Sequence, residues 1–336
     1  MIVLYLILLA VIQAVTEFLP VSSLGHLGVV EHFLGMEQDA GLLIESMLHL
    51  GTAAAIIFLY RNELKRLLLE AVGMLMDAIG NLNLYIHNRR TGNHLKYARI
   101  VTGSYRKFAA LLLVSMIPTA LLGISSRRLA VLAGASPICQ GIGFLISGII
   151  LLVTDLNNSG GEKGPREASW DSAMWIGICQ GLSVFPGISR LGLTVCAALL
   201  CGYSRKFALL FSIFMSLPAV IGAFFTEIGY FGATSMTVGM IFASIFAMLL
   251  AGVAGCLVIR FMVQLCAENK VSVFCSLFVC HWCDRFAVQL CLLTGSDESH
   301  ALLLKSDRQW AKTVTENSNI IRRGAWKWQH LTGNVQ

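Results

Sequence analysis

Two polar islands of similar sequence each cut an apolar block into pieces too short to cross a bilayer. The first is Gln13-Ala14-Val15-Thr16-Glu17-Phe18-Leu19-Pro20-Val21-Ser22-Ser23-Leu24-Gly25-His26. The second is Gln180-Gly181-Leu182-Ser183-Val184-Phe185-Pro186-Gly187-Ile188-Ser189-Arg190-Leu191-Gly192-Leu193-Thr194. Laid over each other without a gap, Gln13 meets Gln180, Phe18 meets Phe185, Ser22 meets Ser189, Leu24 meets Leu191 and Gly25 meets Gly192. The ionisable residues differ: Glu17 and His26 belong to the first island alone, Arg190 to the second alone. A spanning helix needs about 20 apolar residues. The flanking runs, 1–12 and 27–35 around the first island and 173–185 and 191–203 around the second, fall short. Half-length helices joined by a polar turn survive at membrane depth only inside protein or beside a wet cavity. Each island is therefore expected to be the turn of a re-entrant helical hairpin. The alternative for the first is one kinked helix through residues 1–19.

The remaining sequence sets these hairpins in a membrane. Apolar residues make up 56% of the chain and charged residues 13%, far from a soluble domain. The alternating ten-residue segments of a membrane β-barrel are missing. Spans are expected at 42–60, 108–124 with Pro118, 138–154, 207–226 with Pro218, and 237–259. Residues 64–79 read as an amphipathic helix on the membrane surface, and 81–105 as a surface loop. The net charge is +6, but the basic residues lie in the gaps between apolar blocks, as in cytoplasmic loops. No nucleic-acid partner is expected. Arg61 to Lys107, the loop with Lys163 and Arg166, Arg205-Lys206 and Arg260 then share the cytoplasmic side, with only Arg127 and Arg128 against. That orientation opens the first hairpin outward and the second inward, the mark of an inverted repeat. The expected fold class is an all-α polytopic membrane protein with inverted-topology repeats, halves about 1–130 and 131–269, and two opposed re-entrant hairpins.

Residues 270–336 do not fit this scheme. Val271 to Leu293 occupies the place of a last span, yet His281, Asp284 and Arg285 fall near its middle. This segment reads as one damaged span plus a polar tail. Its Cys280-His281-Trp282-Cys283 run lacks a second cysteine pair and is not read as a metal site. Nor do the ten cysteines give a disulfide framework. The apolar N-terminus has no basic n-region and is not read as a cleaved leader.

Ionisable residues inside membrane segments are costly and are functional candidates. Arg190 suits phosphate, because its planar fork donates two parallel hydrogen bonds and its charge persists. Gly187 allows backbone N–H groups to approach an anion, the following helix N-terminus adds positive potential, and Ser189 and Thr194 add hydroxyls. On the first island, Ser23 and His26 stand three apart and share a helical face. An imidazole there can take the proton of a serine nucleophile or protonate a leaving group. Gln13 and Glu17, four apart, can hold a hard cation, Mg²⁺ or Ca²⁺, whose remaining ligands come from phosphate and water. Two other readings stay open: Glu17 only orients His26, or Glu17 and Arg190 form a structural ion pair.

Gln-x-x-x-Glu, Pro-Val-Ser-Ser-Leu-Gly-His and Pro-Gly-Ile-Ser-Arg-Leu-Gly-Leu-Thr, in that order, resemble the motifs of the undecaprenyl-diphosphate phosphatase family of the bacitracin-resistance type. Leu48-His49-Leu50-Gly51-Thr52 also looks like a family segment, and the likeness runs from residue 1 to about 265. The resemblance implies a membrane phosphatase domain over 1–269. Gln13 and Glu17 fill its acidic motif, and Ser22, Ser23 and His26 its serine–histidine segment, with Ser23 and His26 as catalytic candidates beside Glu17 and Arg190, and Ser22 as a phosphate-binding one. Ser189, Arg190 and Thr194 fill its phosphate-binding motif. It implies hydrolysis of a polyprenyl diphosphate carrier lipid with a divalent cation, at the outer face of the bacterial inner membrane. That reaction recycles the lipid for peptidoglycan synthesis and confers bacitracin resistance. The bilayer and the lipid substrate are the expected partners, and a homodimer is considered beside the monomer. Leu191 stands where the family usually has Ser, and Leu24 where Thr is common, so both positions lack a hydroxyl for the substrate. A carrier-lipid phosphate transporter or flippase is the alternative function, since inverted repeats also build transporters.

Overall fold

In an apolar surround every backbone N–H and C=O must find its partner within the segment, and a chain of long apolar blocks satisfies this by forming helices. The computed structural model describes residues 2–34, 41–92, 94–134, 136–157, 161–228 and 237–267. Among them are ten helices and no strand: α1 Ile2–Phe18, α2 Ser23–Leu34, α3 Gly41–Leu59, α4 Arg61–Thr91, α5 Gly103–Gly134, α6 Pro137–Leu156, α7 Trp170–Leu182, α8 Arg190–Leu200, α9 Arg205–Ile228 and α10 Val238–Ala267. Four of these are long and apolar enough to cross a membrane: Arg61–Thr91, Gly103–Gly134, Arg205–Glu227 and Val238–Gln264. The expected spans at 108–124 and 207–226 lie inside two of them, and the one at 237–259 begins one residue before a third. Those at 42–60 and 138–154 fall on α3 and α6, of 19 and 20 residues. The expected span over Val271–Leu293 and the tail lie outside the described residues.

The expected surface loop over 81–105 needs correction, because α4 continues helical to Thr91. Leu82, Tyr85 and Ile86 prolong its exposed apolar stripe, and Gly92 at φ 71° closes it with its N–H on the Asn88 carbonyl. Asn81 and Asn88 read as loop residues, yet they bind the returning chain. Asn81 exchanges two hydrogen bonds of 2.8 Å with the Ala98 backbone. Asn88 does the same with Leu95, at 3.0 and 3.1 Å. Seven residues apart, the two amides lie two turns along one face. Arg106 then ties the start of α5 to Glu70 and Asp77 of α4.

The core has two parts. Tyr5, Leu6 and Leu9 of α1 are buried with Leu27 of α2, Leu48 of α3, and Ala247 and Ala251 of α10. An aromatic set holds α5 to α9: Phe108 lies 5.3 Å from Phe207 and 5.9 Å from both Phe211 and Phe214 between ring centres. The Arg127 guanidinium, counted against the charge asymmetry, pairs with Glu227 of α9 at 2.6 Å.

Glycine sets the closest helix approaches. A Cβ at Gly51 of α3 would lie 2.1 Å from the Met248 carbonyl oxygen of α10. One at Gly177 of α7 would lie 2.1 Å from the Ser115 carbonyl oxygen of α5. There Thr119 donates 2.9 Å hydrogen bonds to the Ser115 and Gly177 carbonyls, beside Pro118. Gly177→Val forces backbone apart and is expected to destabilise by about 3 kcal/mol, the upper end for overpacking. Thermal unfolding in detergent measures this. Gly80→Ala, with nothing within 4 Å of the added carbon, is the control and is expected to stabilise by about 0.5 kcal/mol or more.

Candidate active site

The two polar islands form two turns, α1 into α2 and α7 into α8, and the turns touch. Each begins its second helix in the same way. The Ser22 hydroxyl accepts from the Gly25 N–H at 3.3 Å, and the Ser189 hydroxyl accepts from the Gly192 N–H at 3.1 Å. The Ser and Gly shared by both islands are thus capping pairs that satisfy first-turn donors. A Cβ at Gly25 would come 2.9 Å from Gly187 Cα and N, and one at Gly192 would come 3.2 Å from Pro20 Cβ. In the gapless overlay Gly25 matches Gly192 and Pro20 matches Gly187. The same two positions are therefore used twice, once by each turn on the other.

The second turn is held from α6. Ser147 accepts from the Ser189 N–H at 2.8 Å and donates to the Gly187 carbonyl at 3.0 Å. Gly187 has φ 85°, and a Cβ there would lie 2.1 Å from the Gln140 carbonyl oxygen, so only glycine fits. In the first turn Ser22 has φ 62°, the one positive φ outside glycine among the described residues. A left-handed serine costs about 1–2 kcal/mol. Here that conformation sets the Ser22 carbonyl against His26.

Glu17, near the end of α1, meets Arg190, the first residue of α8, in a direct ion pair. The side chains are 7% and 23% exposed, so the pair is largely withdrawn from solvent. The other carboxylate oxygen accepts from Ser23 Oγ at 2.8 Å and Gln13 Nε2 at 3.2 Å, and lies 3.1 Å from His49 Nδ1. Gln13 Nε2 also stands 2.8 Å from His49 Nδ1. His26 Nδ1 lies 2.6 Å from the Ser22 carbonyl oxygen, which can only accept. The neutral ring therefore carries its proton on Nδ1 and its lone pair on Nε2. The Phe144 ring meets His26 edge-on with centres 5.1 Å apart. Thr194 donates to the Arg190 carbonyl at 2.8 Å, which braces the first turn of α8.

Of the residues singled out in sequence, Gln13, Glu17, Ser23 and Arg190 are brought into one hydrogen-bonded cluster. Ser22 and His26 adjoin it through the first turn, and Gly187 and Ser189 through the second. Thr194 stands behind Arg190, and Leu191 is buried. The residue that sequence reasoning missed is His49 of α3. Its one signal was a place in the Leu48-His49-Leu50-Gly51-Thr52 segment.

The donor set can be tested against a divalent cation. Gln13 is fully buried, and its Oε1 has no hydrogen-bond partner among the described residues. An orphaned amide oxygen one turn from a carboxylate is a partial shell for a hard cation, which takes its other ligands from phosphate and water. No group of three or more His, Cys, Asp or Glu that could hold a metal occurs among the described residues. The residues fit a cation shared with a phosphate, not one caged by protein.

Residues 6–280 match the profile of a family described as bacitracin resistance protein BacA. A relative named undecaprenyl-diphosphatase from Alkaliphilus metalliredigens is 31% identical over 271 residues, 80% of this chain and 92% of the relative. One of the same name from Desulfatibacillum aliphaticivorans is 33% identical over 222 residues, 66% of this chain and 76% of its own length. Another, from Desulfosudis oleivorans, is 36% identical over 222 residues, 65% of this chain and 74% of its own.

Proposed function

The chain belongs to the bacitracin resistance protein BacA family, and from that premise we propose that it is a multi-pass membrane phosphatase that hydrolyses undecaprenyl diphosphate. The products are undecaprenyl phosphate and inorganic phosphate. The reaction returns the carrier lipid to peptidoglycan synthesis and confers bacitracin resistance. One observation carries the reading: a serine hydroxyl and an arginine guanidinium, from different turns, converge on one carboxylate.

The chemistry follows from that convergence. Arg190 has five donors and can keep Glu17 while its free edge takes the terminal phosphate. The N-terminus of α8, which Arg190 begins, adds positive potential where that phosphate enters. Ser23, or a water in its place, attacks the terminal phosphorus, and its proton passes to Glu17, the carboxylate it already bonds. The bond from phosphorus to the bridging oxygen breaks, and the lipid monophosphate leaves. If serine attacks, a water then cleaves the phosphoserine. His26, with its lone pair on Nε2, takes or returns protons on the face set by Ser22. A cation held by Gln13 Oε1 and Glu17 would neutralise phosphate charge. Fixed positive charge around the transferring group supplies most of the acceleration.

The two turns are re-entrant hairpins of an inverted repeat in this reading. The reciprocal Gly25–Gly187 and Gly192–Pro20 contacts support it, since a contact that uses the same positions twice is the signature of two-fold symmetry. So does the pairing of Gln13 with α3 and of Gln180 with the Met215 carbonyl of α9. The site opens to the periplasmic side of the inner membrane. The α4 helix, basic at Arg61, Lys65, Arg66, Arg89 and Arg90 and buried only at Leu67 and Met74, lies along the cytoplasmic surface.

Purified protein in detergent micelles, given undecaprenyl diphosphate and Mg²⁺, is expected to release inorganic phosphate, and His26→Ala is expected to lose roughly 10²–10⁴ of the rate. No transport can occur in a micelle. Failure of the wild type to release phosphate there would favour a lipid-phosphate transporter.

A further inference from the structure

We propose that the cleft between the starts of α5 and α7 binds the headgroup phosphate of an anionic phospholipid. This assignment rests on the proposed function only in setting that face at the cytoplasmic leaflet, which is the anionic one.

The two helices run parallel. Gly177 of α7 packs on Ser115 of α5, and Gly181 packs on Leu122 further along both. Their first residues, Gly103 and Trp170, therefore open on the same side. An open cavity of about 490 Å³ lies there, lined by Val101, Gly103, Lys107, Arg166 and Trp170. Its size is within the range of small-molecule sites, about 300–1,000 Å³. α7 separates this cleft from the second turn of the candidate active site, and its 13 residues span about 20 Å.

Two cations face the cleft without a carboxylate. The Lys107 ammonium stands 3.7 Å from the centre of the Trp170 ring. It makes no ion pair and no hydrogen bond among the described residues, so its N–H donors remain for a ligand. Arg166 donates from Nε to Ser104 Oγ at 2.7 Å. That bond leaves the Nη edge of the guanidinium for two parallel hydrogen bonds to one phosphate. Arg106, beside Lys107, is the contrast, since Glu70 and Asp77 neutralise it. Of the nearby acids, Glu167 turns away to accept from the Gly164 N–H at 2.9 Å. Asp171 lies about 100° round α7 from Trp170 and does not line the cleft. The first-turn N–H groups of both helices add to the positive potential of the cations.

The occupant is a lipid because the cleft continues into apolar surface. Trp170 is 42% exposed, and tryptophan is enriched where membrane meets water. Further along, Met174 and Trp175 of α7 are exposed, as are Leu113 and Ile117 of α5. Acyl chains can lie along that surface while the phosphate stays with Lys107 and Arg166. A free phosphate would use the cations and gain nothing from the rest.

The test is retention of radiolabelled phosphatidylglycerol by full-length protein immobilised from detergent micelles, with unlabelled lipids as competitors. Phosphatidylcholine, which has no net charge, is expected to compete about tenfold or more less well than phosphatidylglycerol. Lys107→Met and Arg166→Gln are each expected to weaken retention about fivefold, the typical effect of one basic residue near an anionic headgroup. Arg90→Gln removes an exposed charge in the last turn of α4 and is expected to change retention less than about twofold. Inorganic phosphate at constant ionic strength is expected not to displace the lipid. Added salt is expected to lower the wild type's preference for phosphatidylglycerol, a measurement that needs no variant to fold. The proposal is overturned if wild type holds both lipids equally at every salt concentration, or if Lys107→Met and Arg166→Gln retain the lipid as wild type does. An equal loss in Arg90→Gln would mean diffuse charge and no site, and displacement by inorganic phosphate would make free phosphate the ligand. Either result also overturns it. Phosphate release from undecaprenyl diphosphate by the same wild-type sample separates the two readings. A wild type that retains phosphatidylglycerol in this pattern but releases no phosphate sinks the phosphatase reading and leaves the lipid site standing.

Discussion

Arg190→Ala is expected to slow phosphate release from undecaprenyl diphosphate by at least about 10³-fold, the range for removing a charged group that contacts a transferring phosphoryl. Two losses combine. The substrate loses its only cation among the side chains of the cluster, and KM rises. Glu17, with its side chain 7% exposed, also loses its counter-charge. Stranding one member of a buried pair destabilises by about 3–5 kcal/mol. Thermal unfolding in detergent should therefore fall together with activity. Arg190→Lys is not a conservative change here. An ammonium is a point charge and cannot face Glu17 and a phosphate through one rigid fork. That variant is expected to recover stability without recovering rate.

Glu17→Gln is expected to lose roughly 10²–10⁴ in kcat, the contribution of a positioned acid–base group. Its effect on binding should be opposite to that of Arg190→Ala. An amide cannot take the Ser23 proton, so chemistry stops. Arg190, freed from a carboxylate competitor, still faces the diphosphate, so KM is expected to stay level or fall. Full titrations of rate against substrate in mixed micelles would resolve the split. A rise in KM with unchanged kcat would place Glu17 in binding and remove it from proton transfer.

Most of the cluster was legible because its members sit where an apolar segment should have none. Glu17, Arg190, Ser23 and Gln13 are polar residues in half-length apolar runs, and such residues announce themselves. The turns were legible for a related reason: Pro20, Pro186 and Gly187 interrupt those runs. His49 was not. It lies in a largely apolar helix, and the nearest ionisable residue in sequence, Glu45 one turn before it, gives no hint of Gln13 or Glu17. Its contacts are 36 and 32 residues away and exist only once α3 lies beside α1. Ser22 and Ser189 have a second role that the sequence did not show, for a local reason. Their oxygens accept from Gly25 and Gly192 as helix caps, a role added to the phosphate contact expected of their hydroxyls, since a hydroxyl that accepts still has a hydrogen to donate. The extent of α4 was lost because Asn81 and Asn88 are residues of loops more often than of helices. Their side chains here pair with a returning segment whose position the sequence does not reveal.

The central claim is that the two turns form one site, with Glu17 of the first and Arg190 of the second acting as a unit. A double-mutant cycle on kcat/KM with Glu17→Gln, Arg190→Ala and the combined variant tests this most directly. Residues that act together are grossly non-additive. The combined variant is expected to be within about twofold of the worse single variant. Losses that multiply would mean that the two residues act independently, and would contradict a composite site.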